Sequence, residues 1–581
     1  MNRHALLVRC FLIIVFVPSF AFAGISGSPG DLRKLVSNYY RWRNERYPVA
    51  SSDQGLHTWD DRLTDWSAAA VKLRREHAAA VLSQVHALKT DGWAKDDRID
   101  AALFRAQLEG VVLFDRFLSF PETNPLIYVE ECSNGIFSLL KKDYAPAKTR
   151  ALSAAARLEK MPDLLRDGRK NLTRPVALYA RLAIESARAM DGLFKDSLMT
   201  LAGDLSAAER RRLVAARDSA LAALRSFADF LETDLSKMVA FAPMGEASYN
   251  ELLRRAYLLP IDAKELAMLG EAELARFRAL EALLADPSMA DPDPARAANV
   301  PKDQEAFLKT YESRQAEMIR FLGERRLVTL PPSLGAFRIR QLPEAFKPTS
   351  PGGFMNAPGL YDADSGGFYF IPTYDPKSRN FYIRAAIEDP RPILGHEGIP
   401  GHFLQISISN ALPSEIRREH GDGVFIEGWA LYGEEMLMRQ GLYAEGSAGQ
   451  GQVLRLARYR AARIGVDVNL HTGRWTFDEA VKYFMEAGGL DREAAEGEAA
   501  GAAASPTQKI TYMTGKWQIL RLLGKWREKK GAAFRLGDFH DALLACGSLP
   551  LSVVEWILLD DPSSVEKAIH SRASKPPLRG P

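Results

Sequence analysis

The sequence is 581 residues long and 47% hydrophobic, which excludes wholesale disorder and is more than one compact core holds, so two or three lobes are expected. Its 76 Lys and Arg against 73 Asp and Glu argue against a nucleic-acid protein, which carries a basic excess. With three cysteines there is no disulfide scaffold: Cys10 falls in the leader described next, and Cys132 and Cys546 leave at most one bridge, which sequence cannot decide.

The first segment reads as an export signal. Arg3, His4 and Arg9 form a basic start, an apolar run covers Cys10 to Phe20, and Ala21-Phe22-Ala23-Gly24 offers an A-x-A cleavage site. The expected mature chain begins at Gly24. The apolar run is shorter than the ~20 residues of a membrane span. No Leu-x-Gly-Cys arrangement marks a lipid anchor, and no later run is long enough for membrane insertion. The expected location is therefore periplasmic or secreted.

Helical periodicity dominates from about Leu32 to Arg326. Ser206 followed by Glu209 is a capping-box pattern, and Leu213, Val214, Leu221, Leu224, Phe227 and Phe230 then recur at helical intervals. Another helix opens at Asp262 and runs through Leu266, Leu269 and Leu274. Between Leu327 and Asp389, prolines and glycines break any long helix. The pieces Gly367–Ile371 and Asn380–Ile383 lean towards strand, which suggests a small sheet or an extended segment. Helical texture returns from Pro392 to about Lys567. The stretch from Glu493 to Ser505 fits either a helix with a loose end or a loop. The expected organisation is a signal peptide over 1–23, a helical N-terminal lobe over 24–326, a catalytic lobe over 327–570 and a polar tail over 571–581.

The chemistry concentrates in Ile393-Leu-Gly-His-Glu-Gly-Ile-Pro-Gly-His-Phe-Leu-Gln405. Neutral imidazole is a favoured zinc ligand, and a Glu beside the first His is the arrangement in which helix-borne metallopeptidases activate water. The usual spacing of the two histidines is i, i+4. His396 and His402 stand at i, i+6, about 120° apart on an ideal helix, with Gly398, Pro400 and Gly401 between them. A bulge or kink at Pro400 would swing His402 back to the metal; otherwise the two are polar residues flanking a tight turn. The segment Glu427-Gly-Trp-Ala-Leu-Tyr-Gly-Glu-Glu435 supplies an acidic residue within an apolar run, either a surface Glu or a third ligand. Glu434 lies seven residues on, close to the same helix face, where it would orient a ligand from behind.

Here the chain resembles the bacterial domain of unknown function 885 family, regarded as zinc peptidases. HEGIPGHFLQ matches that family's HE-x-x-PGH-x-x-Q, and EGWALYGEE matches its EGWA-x-Y-x-E. Asp467 to His471 with Trp475, Pro506-x-Gln508 with Tyr512 and Gly515, Asp60-Asp61-Arg62-Leu63 and Phe539 to Leu544 extend the likeness over nearly the whole mature chain. The resemblance implies a mostly α, multi-helix zinc-metallopeptidase-like fold with a small β segment before the catalytic helix. It also implies His396, His402 and Glu427 as metal ligands and Glu397 as general base. Tyr512, with His471, would hold the oxyanion.

The sequence departs from the family at one place. A typical member has Glu-x-x-Arg-Tyr before Pro-Gly-Gln; here Gly501 and Ala502 replace the Arg and Tyr, and Thr507 replaces the Gly. Arg379, Arg384, Arg460 and Arg463 are the candidates to replace that cation. The expected activity is zinc-dependent hydrolysis of a peptide in a cleft between helical lobes. The alternatives are a non-catalytic exported binding protein of the same fold, and a metal-dependent amidase or esterase on non-peptide substrates.

Overall fold

The computed structural model describes residues 27–284, 301–342, 353–378, 380–444 and 446–570. The signal peptide, the polar tail and Arg379 lie outside them.

Within these residues the chain is mostly α. The capping box at Ser206 opens the helix Ala207–Asp234, whose Leu213, Leu221, Leu224 and Phe227 are buried, while Val214 and Phe230 are only partly so. The stretch after Asp491 is a helix, Arg492–Ala504, because the Asp491 carboxylate accepts the Ala494 N–H at its start. The described residues of the region rich in Pro and Gly hold three short strands: β1 (Phe337–Gln341), β2 (Phe354–Asn356) and β3 (Gly367–Ile371). Their order is β1-β3-β2, parallel between β1 and β3 and antiparallel between β3 and β2. All five residues of β3 are buried, as an apolar run in a central strand should be. The expected strand at Asn380–Ile383 is instead the start of a helix, Phe381–Glu388. Asn380 caps it by accepting the Ile383 N–H at 3.2 Å, and a local cap outweighs β-leaning side chains.

Apolar side chains gather in four cores. The largest unites Leu32 to Leu108 with Phe307 to Leu327 and with residues from Phe337 to Ala568, so packing crosses the 326/327 boundary. A second holds Tyr128 to Leu231 together with Leu342, Phe368 and Phe370 of the sheet region. Cys132 and Cys546 are both free and lie in different cores.

Seven helices frame the candidate site: α1 (Ala263–Leu284), α2 (Arg391–Glu397), α3 (His402–Asn410), α4 (Gly423–Arg439), α5 (Ala448–Thr472), α6 (Arg492–Ala504) and α7 (Thr511–Lys530). Helix α1 packs along α5, and α4 along α7. The second pair crosses very closely at Gly428 and Gly515. A Cβ on Gly515 would lie 1.8 Å from the Val424 carbonyl oxygen, so only glycine allows the approach. That crossing brings Tyr512, three residues before Gly515, beside Glu427.

Candidate metal centre

The i, i+6 spacing is resolved by breaking the helix rather than by kinking it. Helix α2 stops at Glu397 because Gly398 leaves helical geometry, with φ −103° and ψ −113°. A four-residue turn follows, containing a cis Ile399–Pro400 bond, and α3 starts at His402. The turn folds tightly back: a Cβ on Gly401 would lie 1.9 Å from the His396 carbonyl oxygen. The buried Trp429 of α4 fastens it, its indole N–H donating to the Pro400 carbonyl at 2.8 Å. From below, Phe337 of β1 stacks on Phe403 with ring centroids 4.8 Å apart. The His396 and His402 rings end 4.6 Å apart and almost perpendicular, at 79°.

Glu427 completes the cluster from α4. That helix is capped by Asp422, whose carboxylate accepts the Phe425 N–H at 2.8 Å; burial pushes the Asp422 carboxyl up to about 7. Glu427 Oε2 stands 3.4 Å from His396 Nε2 and 3.4 Å from His402 Nε2. That oxygen is buried and has no hydrogen-bond partner among the described residues. Among those residues these three are the one group of His, Cys, Asp and Glu whose ligand atoms converge. Nitrogen and oxygen donors at 2.0–2.2 Å from a tetrahedral ion are separated by about 3.3–3.5 Å. The donor types fit a zinc-type ion, and both carboxylate–imidazole spacings fall in that range.

The members of the cluster are strongly coupled electrostatically. Burial alone would lower the His396 pKa, but the carboxylates of Glu427 and Glu434 raise it to about 9. Burial would raise the Glu427 carboxyl, but His402 and His396 hold it well below the usual range. Glu434 accepts the His396 Nδ1–H at 2.8 Å and is itself fully buried. This fixes the ring orientation with Nε2 facing the cluster, where loss of its proton on metal binding would expose the lone pair. Glu435, next in sequence, faces another way and pairs with Lys516, Arg276 and Arg439.

Glu397 closes α2 half-buried, near enough to Tyr369 of β3 that its charge helps raise that phenol. It makes no hydrogen bond to a described residue. Tyr512 lies over His396, with ring centroids 6.2 Å apart and 17° between planes. Burial and the Glu427 charge raise its pKa, while Arg463 and Arg460 oppose them. His471 is not brought to the cluster. It sits eight residues beyond Arg463 on α5, about 12 Å along the axis. Its Nε2–H donates to the Ala502 carbonyl at 2.9 Å, and its ring packs on Tyr249 and Phe241. The expected oxyanion role is corrected to a packing role, because the donor already has a backbone acceptor.

Three residues carry structural roles that the motif reading did not assign to them. Gln405, one turn past His402, is fully buried with neither amide atom paired among the described residues. Lys509 is held by its backbone N–H on Asp467 at 3.0 Å and by its ammonium on Glu498 at 3.0 Å; its place between Gln508 and Tyr512 was the available signal. Thr507 has φ +68°, a left-handed conformation that glycine adopts freely and a β-branched residue rarely does. Asp467 accepts its N–H at 3.0 Å, and its hydroxyl meets Tyr257 at 2.8 Å.

The class is a mostly helical chain with a His/His/Glu cluster whose two histidines are buried. The chain belongs to the family described as "Bacterial protein of unknown function (DUF885)", whose model matches residues 48–558. A solved structure described as "a putative lipoprotein of unknown function from Shewanella oneidensis" is similar over 92% of this chain and 100% of its own, with TM-score 0.72 and 21% identity. A second, "the putative lipoprotein from Colwellia psychrerythraea", is similar over 92% and 99%, with TM-score 0.73 and 18% identity. Both likenesses concern the fold. No curated protein matches the chain.

Proposed function

We propose that this protein is an exported, zinc-dependent metallopeptidase with a metallopeptidase-like helical fold. The observation that carries the reading is the convergence of His396, His402 and Glu427, with Glu427 Oε2 3.4 Å from the Nε2 of each histidine. These three residues would hold the ion, and a zinc ion bound there supplies Lewis acidity towards a carbonyl and towards water. Glu434 keeps His396 in the ligating tautomer. Glu397, next to the first ligand and free of hydrogen bonds to described residues, takes the proton of the attacking water and returns it to the leaving amine. Tyr512 donates its phenolic hydrogen bond to the developing oxyanion. A binding protein of the same fold would need the ligands but would have no use for an unpaired, half-buried carboxylate at Glu397.

Export is supported by the leader in residues 1–23 and by the description of both structural relatives as lipoproteins. Among the described residues no helix is long and apolar enough to cross a membrane.

The test is Glu397→Gln, which keeps size and removes the proton acceptor. Zinc content and thermal midpoint are expected to stay, while cleavage of a peptide library falls about 10²–10⁴-fold. Unchanged cleavage by the folded, zinc-loaded variant would sink the mechanism.

A further inference from the structure

We propose that Arg460, Arg463 and Lys509 form an anion-receiving subsite beside Tyr512 that takes the C-terminal carboxylate of a short peptide. The inference rests on the peptidase reading of the metal centre and names its substrate class: peptides cut close to a free C-terminus.

Two of the three cations, Arg460 and Arg463, flank the ring that also lies over His396. Arg460 and Arg463, one turn apart on α5, place their guanidinium carbons 5.5 Å and 5.0 Å from the Tyr512 ring centre. The Arg460 side chain is only 8% exposed, and its Nη2 reaches Glu434 Oε1 at 3.4 Å. Its Nε and Nη1 are buried with no partner among the described residues. Five donors on a desolvated guanidinium call for acceptors, and leaving them open is costly. A carboxylate is the matching planar acceptor.

Lys509 completes the group from the loop before α7. A Cβ on Gly501 would lie 3.6 Å from the Lys509 ammonium, so the lysine extends into space that a longer side chain at 501 would claim. Its position is fixed rather than incidental, because Asp467 accepts both the Thr507 and the Lys509 backbone N–H groups. Asp467 is otherwise engaged by the Tyr249 hydroxyl at 2.7 Å, and burial pushes its carboxyl pKa up.

Glu498 is shared by Arg463 and Lys509, at 3.0 Å each, and Glu434 is shared by Arg460 and His396. Each of these carboxylates is thus divided between two basic groups, while Arg460 keeps two buried nitrogens without an acceptor among the described residues. A peptide backbone advances at most about 3.3–3.6 Å per residue. Cations one aromatic ring away from the cluster thus suit a carboxylate about one to three residues beyond the bond that is cut.

The experiment compares N-acetyl-trialanine as the free acid and as its C-terminal amide. Binding is measured by calorimetry on zinc-loaded Glu397→Gln protein, and hydrolysis on the zinc-loaded wild type. The acid is expected to bind about 10–100-fold more tightly than the amide. Arg460→Gln and Lys509→Met should each collapse that ratio, and Arg460→Lys should restore part of it. A purely structural role for these residues would change stability without moving the ratio. Equal affinity for acid and amide, or no binding of either, overturns the subsite, and this comparison needs no cation variant to fold. Selective binding of the acid without hydrolysis by the wild type would leave the subsite standing and reject the peptidase reading. Hydrolysis of both with no preference would do the reverse.

Discussion

Two of the clusters that combine histidine with acid among the described residues are built to opposite ends. In the N-terminal half, Asp60 accepts from the Ser52 hydroxyl at 2.5 Å, from the Tyr144 hydroxyl at 2.5 Å and from His57 Nδ1 at 3.1 Å. The fully buried Arg157 closes the network by donating to Ser52 at 2.6 Å. Both Asp60 oxygens already have donors, so no lone pair is left to converge on an ion. At His396, His402 and Glu427 the reverse holds: two Nε2 atoms and one unpaired Oε2 face a common point. A satisfied network stabilises a fold, whereas convergent buried polar atoms left unsatisfied call for a partner.

The largest expected effect breaks the second cluster. His402→Ala removes one of three protein ligands and should weaken zinc at least about 100-fold, beyond the 10–100-fold typical of an outer partner. Equilibrium dialysis with metal analysis measures it, and full zinc occupancy in the variant would end the comparison. Next comes the first cluster. Asp60→Ala strips the shared acceptor from the Ser52 and Tyr144 hydroxyls and removes the carboxylate 3.9 Å from the buried Arg157 guanidinium, and should cost about 3–5 kcal/mol of stability. Zinc bound per folded molecule should not change; a loss of zinc there would mean that the two clusters are coupled.

Two smaller tests separate packing from binding around the site. His540 is buried against Trp429 and Tyr432 of α4. It donates from Nδ1 to the Leu327 carbonyl at 2.6 Å and accepts the Tyr432 hydroxyl at Nε2, so it is neutral, and burial holds its pKa down at about 4. An unfolded histidine titrates near 6.5. Below that pH the unfolded chain takes up a proton that the folded chain refuses, so stability is lost as pH falls from about 6.5 towards 4. Thermal midpoints should fall across that window in the wild type and fall less in His540→Gln.

The smallest effect concerns Thr507. Thr507→Val keeps the left-handed, β-branched backbone but loses the Tyr257 contact, and should cost about 1–2 kcal/mol. Thr507→Gly exchanges strain relief of ~1–2 kcal/mol against chain entropy and the same lost bond, and should stay within about 1 kcal/mol of the wild type. Denaturant midpoints decide. A Val variant as stable as the wild type would show that the hydroxyl does not hold the loop.

Much of the site was legible because its signals are local. Capping patterns such as Ser206 with Glu209, and the runs HEGIPGH and EGWALYGEE, lie within single elements or turns. The failures are equally specific. At His471, sequence offers a histidine near a motif but cannot show that Ala502, 31 residues on, takes its donor. At Asn380–Ile383 the β-branched and aromatic composition concealed a side-chain cap. The i, i+6 spacing suggested a distorted helix, whereas two helices meet at a turn that Gly398 and Gly401 permit.

By itself the sequence determined the helical class, the identities of the candidate ligands and the departure at Gly501, Ala502 and Thr507, because periodicity, capping and residue chemistry act over a few residues. Only the tertiary structure decided that Glu427, from another helix, meets both imidazoles at 3.4 Å while Glu435 turns away to Lys516. It also decided that Lys509 stands beside Gly501. Those facts depend on how closely α4 crosses α7 and on where Asp467 anchors a loop 40 residues later, and such distances are set by packing between elements rather than within them.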